Sequence, residues 1–323
     1  ERRSHKGLNV PGVDLGIGAF AERDRECLKF ALERGVDAVS QSFVASGEDV
    51  RAVRRAARAF GRNPFLIAKI ERSVALDRID EILAEADGIM VARGDLGVEI
   101  PIERIAVEQK RLIHRANLLG KPVITATQML ESMTENFRPT RAEATDVANA
   151  VIDGTDCVML SGESAMGKYP VETVRMLARI AEAAEPYRTG QFVREAMKAV
   201  IDAGDVAPFD LVSMSIESIL ARMSVGAVVV PSRSGSTVRQ LARLRIPVWL
   251  TAVSTSQETC QGLQFSFGVH PVKLDAAPND WRSWARKWVA ECGVPGEYLI
   301  LVEGPSPDHP DVTQRLEIID LRN

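Results

Sequence analysis

Short runs of apolar and β-branched residues recur along the first half of the chain and alternate with segments of helical periodicity. The segments Glu48–Phe60 and Glu103–Leu119 place apolar side chains at helical spacing, which predicts two amphipathic helices. A third helix is predicted over Thr140–Ile152, because a Pro-Thr pair followed by Glu143 is a helix-start signal. Near-continuous apolar strands that alternate with such helices are typical of parallel strands covered on both sides, so we predict an α/β fold. The predicted strands are Val36–Phe43, Phe65–Ile70, Gly88–Ala92, Val123–Thr127 and Cys157–Ser161.

The pattern changes near Glu185–Gln191, where proline, threonine and glycine interrupt a helical run rich in Ala and Glu. We therefore predict a first domain over residues 1–187 and a second domain over residues 188–323. Strands and helices also alternate in the second domain, which indicates a smaller open α/β sheet. Its predicted helices are Pro208–Met223, Thr237–Leu244, Gln257–Leu263 and Asp280–Glu291, and its predicted strands are Ala227–Val230, Val248–Ala252, Val269–Lys273, Tyr298–Glu303 and Leu316–Leu321.

Polar side chains stand where each of the five predicted strands of the first domain ends. These strand ends are Gln41–Phe43, Lys69–Glu71, Arg93–Asp95, Thr125–Gln128 and Ser161–Glu163. In a β/α barrel the carboxyl ends of the strands form the active-site face, so these groups would converge on one pocket. A single polar residue at such a position is explained as well by the polarity of loops. Five successive strand ends with chemically matched groups favour a functional site.

The residue types at these strand ends indicate phosphoryl transfer or enolate formation. Glu71 and Asp95 are hard oxygen ligands suited to Mg²⁺, which usually takes one or two carboxylates together with substrate oxygens and water. Lys69 lies two residues before Glu71, so both side chains point to the same side of a strand. A cation beside a metal stabilises charge that moves onto oxygen atoms. The alternative is that Lys69, Glu71 and Asp95 form a salt-bridge cluster that caps the barrel.

Three further residues at these strand ends fit the same chemistry. Gly94 lets the backbone approach a ligand closely, and the neighbouring amides are suited to bind a carboxylate. Thr127 and Ser161 carry hydroxyl groups that can hold or relay a proton through water. We therefore include all three in the predicted site.

A second candidate site is the segment Pro231–Thr237, which follows a buried strand and opens a helix. It offers the hydroxyl groups of Ser232, Ser234, Ser236 and Thr237, the side chain of Arg233, and a tight turn at Gly235. Free amides at a helix start and several hydroxyls form a phosphate cradle. The Gly-Lys-Ser/Thr ending of a Walker loop is missing. An N-capped loop between strand and helix explains the same residues equally well.

Composition and charge narrow the class of protein. The chain has 323 residues, of which 46 % are hydrophobic and 26 % charged, as is ordinary for a globular protein. Its net charge of −4 argues against nonspecific binding to nucleic acid or to an anionic membrane. The sequence has no transmembrane run and no apolar stretch of a signal peptide, and its four cysteines are scattered without a CxxC pair. We therefore predict a cytoplasmic protein with reduced thiols that binds neither nucleic acid nor membrane.

Several long motifs resemble those of the pyruvate kinase family and occur in the family's order. These motifs are Ile67–Glu71, Asp87–Pro101, Lys121–Ser132, Arg138–Glu143 and Met159–Glu163. The resemblance covers the whole chain and is weaker after about Glu185, where the family's carboxyl-terminal domain would lie. It implies the latter five strand–helix units of a (β/α)8 TIM-type barrel, followed by a smaller α/β domain for allosteric control and oligomerisation.

The resemblance also implies an activity and roles for the strand-end residues. The family transfers a phosphoryl group from phosphoenolpyruvate to ADP, which gives pyruvate and ATP, with Mg²⁺ (or Mn²⁺) and K⁺. Lys69 would stabilise the charge on the transferring phosphoryl group and the enolate, and Glu71 and Asp95 would bind Mg²⁺. The backbone amides around Arg93, Gly94 and Asp95 would hold the pyruvate carboxylate. Thr127 and Ser161 would take part in the proton relay.

Sites outside the catalytic centre follow from the same resemblance. Lys6 matches a lysine on the nucleotide side, and Ser42 lies near the monovalent cation site of the family. The loop Ser232–Thr237 matches the loop that binds the phosphate of allosteric sugar phosphates. The family precedent implies a homotetramer.

The sequence departs from the family in one large respect. The family barrel has eight strands, whereas five are predicted here, and the first three strands and the inserted lid domain are not seen. Ala45 also stands where relatives often carry arginine. Three interpretations therefore stay open: a pyruvate kinase seen without its amino-terminal part, a catalytically incomplete module for phosphometabolite binding or subunit interaction, and another enzyme of the phosphoenolpyruvate class, such as an aldolase or lyase.

Overall fold

Five parallel strands form the first sheet in the same order as they occur along the chain. A computed structural model describes residues 19–188, 190–203, 208–304 and 315–322, so that the predicted nucleotide-side residue Lys6 lies outside the described residues. The strands are β1 (Ala38–Gln41), β2 (Phe65–Ile70), β3 (Gly88–Ala92), β4 (Val123–Ala126) and β5 (Cys157–Met159). Each strand pairs in parallel with the next, which is the succession of strands in a β/α barrel. The α/β prediction is confirmed.

One helix precedes the first strand of the described chain, and each strand of the first half is followed by one or more helices. They are α1 (Glu22–Glu33), α2 (Gly47–Ala59), α3 (Ser73–Asp77), α4 (Ile79–Glu85), α5 (Arg93–Glu99), α6 (Ile105–Leu118), α7 (Arg141–Asp153), α8 (Gly162–Ala165) and α9 (Pro170–Ala184). Helix α7 begins as the sequence predicts, because the Thr140 hydroxyl accepts a hydrogen bond from the Glu143 amide at 3.2 Å and the Glu143 carboxylate accepts one from the Thr140 amide at 2.8 Å. Helix α6 starts later than predicted, since Ile102–Arg104 forms a separate 3₁₀ turn.

Alternate residues of the first sheet belong to two different apolar clusters. Leu66, Ala68 and Ile70 of β2 pack into a large core together with helices α1, α2, α4 and α6. Ile67, on the opposite face, packs in a second cluster that includes Met90 and Ile124 of the neighbouring strands. Because side chains alternate along a strand, Lys69 and Glu71 continue the face of Ile67 toward the carboxyl end of β2.

The second sheet is smaller and mixed, with the strand order β10-β9-β6-β7-β8. Its strands are β6 (Val225–Pro231), β7 (Trp249–Ser254), β8 (Val269–Lys273), β9 (Tyr298–Glu303) and β10 (Arg315–Asp320), and β10 runs antiparallel to β9. Helices α10 (Gln191–Asp202), α11 (Pro208–Leu220), α12 (Ser236–Ala242), α13 (Gln257–Leu263) and α14 (Trp281–Glu291) accompany it, with an apolar cluster on each face. Among all the helices described, none has the length and apolar character needed to cross a membrane.

The second half of the chain packs against the amino ends of the first sheet. Arg245 donates hydrogen bonds to both carboxylate oxygens of Asp156, at 2.6 and 3.0 Å, directly before β5 begins. The ring of Phe265 stacks on Phe65, the first residue of β2, with 5.1 Å between ring centroids. The carboxyl ends of the strands are therefore left for the candidate site. The division of the chain at residues 187 and 188 stays a prediction.

Candidate active site

Lys69 and Glu71 form an ion pair at the carboxyl end of β2. The Lys69 ammonium lies 2.5 Å from Glu71 Oε1 and donates a hydrogen bond to Ser42 Oγ at 3.0 Å. The other carboxylate oxygen of Glu71 accepts the Phe43 amide at 2.7 Å. Glu71 is buried with 1 % of its side chain exposed, whereas 25 % of the Lys69 side chain is exposed. The structure thus brings together Ser42, Lys69 and Glu71, with the lysine on the solvent side of the pair.

Left-handed backbone is concentrated at these strand ends. Four non-glycine residues of the described chain have positive φ, and three of them follow β1 or β4: Phe43 at 54°, Thr127 at 70° and Gln128 at 52°. Such residues cost of order 1–3 kcal/mol each and cluster at active sites, where the surrounding contacts hold them. At Phe43 one such contact is the hydrogen bond that its amide donates to the Glu71 carboxylate. This hydrogen bond also explains why β1 ends at Gln41 rather than at the predicted Phe43.

Gly94 and Thr127 face each other across the ends of β3 and β4. Helix α5 begins at Arg93 directly after β3, so the Gly94 amide lies in the first helical turn, where amides have no partner within the helix. This amide donates to Thr127 Oγ1 at 2.8 Å, and Thr127 Oγ1 donates to the Ala126 carbonyl at 2.6 Å. A Cβ on Gly94 would lie 3.5 Å from Thr127 Oγ1, so even alanine would fill space beside this hydroxyl.

Arg93 is buried behind this pair of residues. Its guanidinium donates to the Thr127 carbonyl at 2.7 Å and to Asp146 Oδ1 on α7 at 2.8 Å, with Gln109 of α6 at 3.3 Å. Asp146 and Gln109 hold the guanidinium in place, and its hydrogen bond to the Thr127 carbonyl stabilises the left-handed backbone of Thr127. Sequence reasoning missed Asp146 and Gln109, since both lie within helices far along the chain and no motif or strand-end position marks them.

Asp95 is the exposed carboxylate of the site. Within the described ranges it has no hydrogen-bond or ion-pair partner, and no group of three or more His, Cys, Asp or Glu side chains is arranged to hold a metal. One or two carboxylates with open positions fit Mg²⁺, which keeps several waters and takes substrate oxygens. The Glu71 carboxylate fits by its chemistry, although its contact with Lys69 is also what the salt-bridge alternative predicts.

Ser161 lies at the end of β5, where a buried glutamate connects it to the end of β4. Glu163 accepts the Ser161 amide at 2.8 Å and the Leu130 amide at 3.1 Å. The Ser161 side chain is half-buried, and its hydroxyl has no hydrogen-bond partner among the residues that the structure describes. Glu163 thereby fixes the spacing of the two strand ends that carry Thr127 and Ser161.

The second candidate site, the loop Ser232–Thr237, lies at the carboxyl end of β6. The Ser232 hydroxyl accepts the Gly235 amide at 3.0 Å, and the Ser234 hydroxyl accepts the Ser236 amide at 3.4 Å. Gly235 has left-handed backbone, with φ of 76°, and directly precedes the first residue of α12. These hydrogen bonds tighten the loop itself, but no side chain caps α12, and the side chains of Arg233, Ser234 and Ser236 remain exposed.

Comparison with known proteins places this site in a family. The family model for the barrel domain of pyruvate kinase matches residues 2–174, and the model for its alpha/beta domain matches residues 210–319. Pyruvate kinase of Thermococcus litoralis is 47 % identical over 279 residues, which cover 86 % of this chain and 58 % of the relative. Those of Clostridium acetobutylicum and Leishmania mexicana are 43 % and 45 % identical over 84 % of this chain, and over 57 % and 54 % of their own lengths.

The chain thus spans about half the length of the curated relatives that it matches. The matched regions include all five strands of the first sheet and the second sheet as far as β10. The resemblance stated from the motifs is confirmed, and so is the expected pair of a barrel-type unit and a smaller α/β unit. This chain belongs to the pyruvate kinase family.

Proposed function

We propose that the protein carrying this chain transfers a phosphoryl group from phosphoenolpyruvate to ADP and so produces pyruvate and ATP. The observation that carries this proposal is the Lys69–Glu71 pair at the carboxyl ends of a parallel sheet, held by Ser42 and the Phe43 amide. The relatives that match the chain are named pyruvate kinase, which supports the same reaction.

In this proposal Lys69 acts as a fixed positive charge. Ser42 and Glu71 hold its ammonium from two sides, so little reorganisation is needed when negative charge develops nearby. The partly buried position reduces screening by water and strengthens the attraction to a phosphoryl oxygen or an enolate oxygen. The exposed part of the side chain faces the side from which a substrate would enter.

The substrate carboxylate would bind at the start of α5. The Asp95 amide lies in the first turn of this helix, where the backbone favours an anion, and the absence of a side chain at Gly94 would let the carboxylate approach. The Thr127 hydroxyl is oriented by the Gly94 amide and the Ala126 carbonyl, and with Ser161 it would position or relay a proton through water. Arg93 acts here as a positioning residue, since its guanidinium contacts the Thr127 carbonyl rather than the open face.

The divalent ion, Mg²⁺ or Mn²⁺, would be held by Glu71 and Asp95, and K⁺ would lie near Ser42. When bound, the divalent ion supplies positive charge to the phosphoryl oxygens. The oxygen-only donors of both carboxylates support this choice over a softer metal such as Zn²⁺. Before substrate binds, the negative charge of Glu71 is balanced by the positive charge of Lys69.

Several outer features complete the proposal. Lys6 would contact the nucleotide, and the exposed groups of the loop Ser232–Thr237 would bind the phosphate of a sugar-phosphate effector. The protein would work in the cytoplasm as a homotetramer. These features rest on the family membership of the chain rather than on contacts within it.

The test is Lys69→Met, with pyruvate formation measured by coupling to lactate dehydrogenase. We expect kcat to fall by about 10²–10³-fold, the usual effect of removing a preorganised charge. The unfolding temperature should fall as well, because the buried Glu71 carboxylate loses its cation, so kcat is measured well below that temperature. Lys29→Met on the exposed surface of α1 is the matched control and should keep the wild-type rate. A full rate in Lys69→Met would remove the assignment. If the wild-type protein binds sugar phosphates but makes no ATP, the incomplete binding module becomes the better interpretation.

A further inference from the structure

A small cavity of about 70 Å³ lies between the two halves of the chain, away from the candidate active site. Asn117 and Gly154 line it from the first half, and Arg243 and Arg245 line it from the second. Its volume is several times the roughly 10–15 Å³ that one water molecule requires. The cavity therefore has room for one small polyatomic ion.

Three arginine side chains converge on this cavity. Arg188, Arg243 and Arg245 all line it, and Arg188 and Arg245 are buried with 8 % and 7 % exposed. Each of the three has a buried Nε atom with no hydrogen-bond partner in the part of the chain that the structure describes. Buried polar groups are almost always paired, so the described residues leave these three guanidinium groups incompletely satisfied.

The charges near the cavity are unbalanced in favour of cations. Arg245 pairs with Asp156, Arg243 pairs with Asp210, and the cavity-lining Asp153 pairs with Lys110. Among the described residues, no carboxylate lies within ion-pair distance of Arg188, whose guanidinium donates to the Thr155 carbonyl and stacks on Phe267 at 3.8 Å. Burial and the neighbouring Arg245 lower the pKa of Arg188 to about 9, and the attraction of the more distant Asp156 and Glu185 carboxylates does not offset them.

The amino end of α10 also faces the cavity. Gly190, Gln191 and Phe192 line it, and Gly190 caps the helix with φ of 57°. No side chain caps this helix, and its first turn carries no acidic residue. A Cβ on Gly190 would lie 2.6 Å from the Leu244 carbonyl, so glycine allows α10 to approach the segment that carries Arg243 and Arg245. The positive end of the helix dipole thus adds to the field of the arginines.

We propose that this cavity between the two halves of the chain binds a phosphate-sized inorganic oxyanion through Arg188, Arg243 and Arg245 of the second half. The ion's charge would balance Arg188, for which the described residues supply no carboxylate within ion-pair distance. An oxyanion is favoured over chloride because several donors from different directions surround the space. This site is independent of the proposed catalytic function, since it lies at the opposite ends of the strands and its test measures binding.

The test is isothermal titration calorimetry with inorganic phosphate, followed by thermal denaturation with and without phosphate. Arg188→Met should weaken phosphate binding by about tenfold or more, as for the loss of a charge-assisted hydrogen bond, and should abolish the rise in unfolding temperature. Arg233→Met in the exposed loop after β6 is the matched control, and it separates this cavity from the second candidate site.

The outcomes are distinct. Sulfate should bind as phosphate does, and chloride should not. Equal phosphate affinity in Arg188→Met and wild type, or loss of all binding in Arg233→Met alone, would overturn the proposal. If Arg188→Met does not fold, Arg243→Met provides the same comparison, because this arginine also lines the cavity.

Discussion

At the carboxyl ends of the first sheet, Lys69 and Asp95 keep parts of their charged groups open to solvent, whereas Asp156 at the amino ends is buried and fully engaged. The Asp156 carboxylate accepts hydrogen bonds from Arg245, from the Phe267 amide and from the Val123 amide. The two ends of one sheet thus use charge differently. Lys69 and Asp95 at the carboxyl ends keep capacity for a ligand, whereas Asp156 at the amino ends is fully used in joining the two halves of the chain.

The largest effect that we expect at the amino ends is from Asp156→Asn. Removing one partner of a buried ion pair leaves Arg245 uncompensated, which typically costs about 3–5 kcal/mol of unfolding free energy. Urea denaturation measures this loss. Asp80→Asn is the matched control, because Asp80 also pairs with an arginine in bidentate geometry but is exposed, so less than about 1 kcal/mol should be lost. Similar losses in both variants would break the comparison.

The same pair predicts the pH dependence of stability. Burial raises the pKa of Asp156, but the Arg245 guanidinium outweighs burial and holds this pKa below its usual value. A carboxyl with a depressed folded pKa stabilises the fold above its unfolded pKa of about 4, and this stabilisation is lost as pH falls through the folded value. Wild type should therefore lose stability below about pH 4 more steeply than Asp156→Asn. Parallel acid curves for the two proteins would contradict the assignment.

At the carboxyl ends, Asp146→Asn should lower kcat by about tenfold and reduce stability less than Asp156→Asn does, because the Asp146 side chain is 38 % exposed. Asp146 holds the Arg93 guanidinium, which in turn holds the Thr127 carbonyl, so its loss allows a small displacement of Thr127. The measurement is steady-state kinetics, with kcat expected to change more than KM for phosphoenolpyruvate. Rescue by Asp146→Glu would support a positioning role. An unchanged kcat in the asparagine variant would show that Arg93 needs no anchor.

Thr140→Ala tests a structural device on the catalytic side of the sheet. Its hydroxyl accepts the Glu143 amide at the start of α7, the helix that carries Asp146. Loss of an N-cap hydroxyl typically costs about 1 kcal/mol, measured as a lower midpoint in urea. Thr140→Ser keeps the hydroxyl and should keep most of the stability. Equal losses in both variants would mean that packing, rather than the cap, decides.

The smallest expected change in stability is from Gly94→Ala. Alanine in the first half of α5 should be neutral or stabilise by up to about 1 kcal/mol relative to glycine. The same methyl group lies beside Thr127 Oγ1, so KM for phosphoenolpyruvate should rise. Calorimetry and kinetics on one variant would thus show opposite signs for stability and activity. A variant with wild-type KM would place the substrate carboxylate elsewhere.

Most residues of the candidate site were predicted from their positions at the ends of strands. Strands β2 and β3 have their predicted bounds, and period-two alternation correctly placed Lys69 and Glu71 on one face. Alternation works here because Lys69 lies within β2 and Glu71 follows the last residue of this strand directly. The same rule does not apply to Arg93, since the chain turns into α5 at this residue and a helical side chain follows a different direction.

Contacts between distant segments could not be read from local pattern. Phe43 leaves the strand because its amide meets Glu71, and Arg93 turns toward Asp146 because α7 packs behind β4. Neither partner follows from periodicity, which reports which face is apolar but not which buried polar groups pair. The three arginines of the cavity between the halves were missed for the same reason, since Arg188 lies far along the chain from Arg243 and Arg245.

The consecutive left-handed residues Thr127 and Gln128 have a consequence for directed evolution. Glycine relieves left-handed backbone by about 1 kcal/mol, so libraries selected for heat resistance should enrich glycine at position 128. Libraries selected for turnover should retain threonine at position 127, because the Thr127 hydroxyl is hydrogen-bonded to the Gly94 amide and the Ala126 carbonyl. Two adjacent codons should thus evolve under opposite pressures, one toward thermostability and the other toward rate.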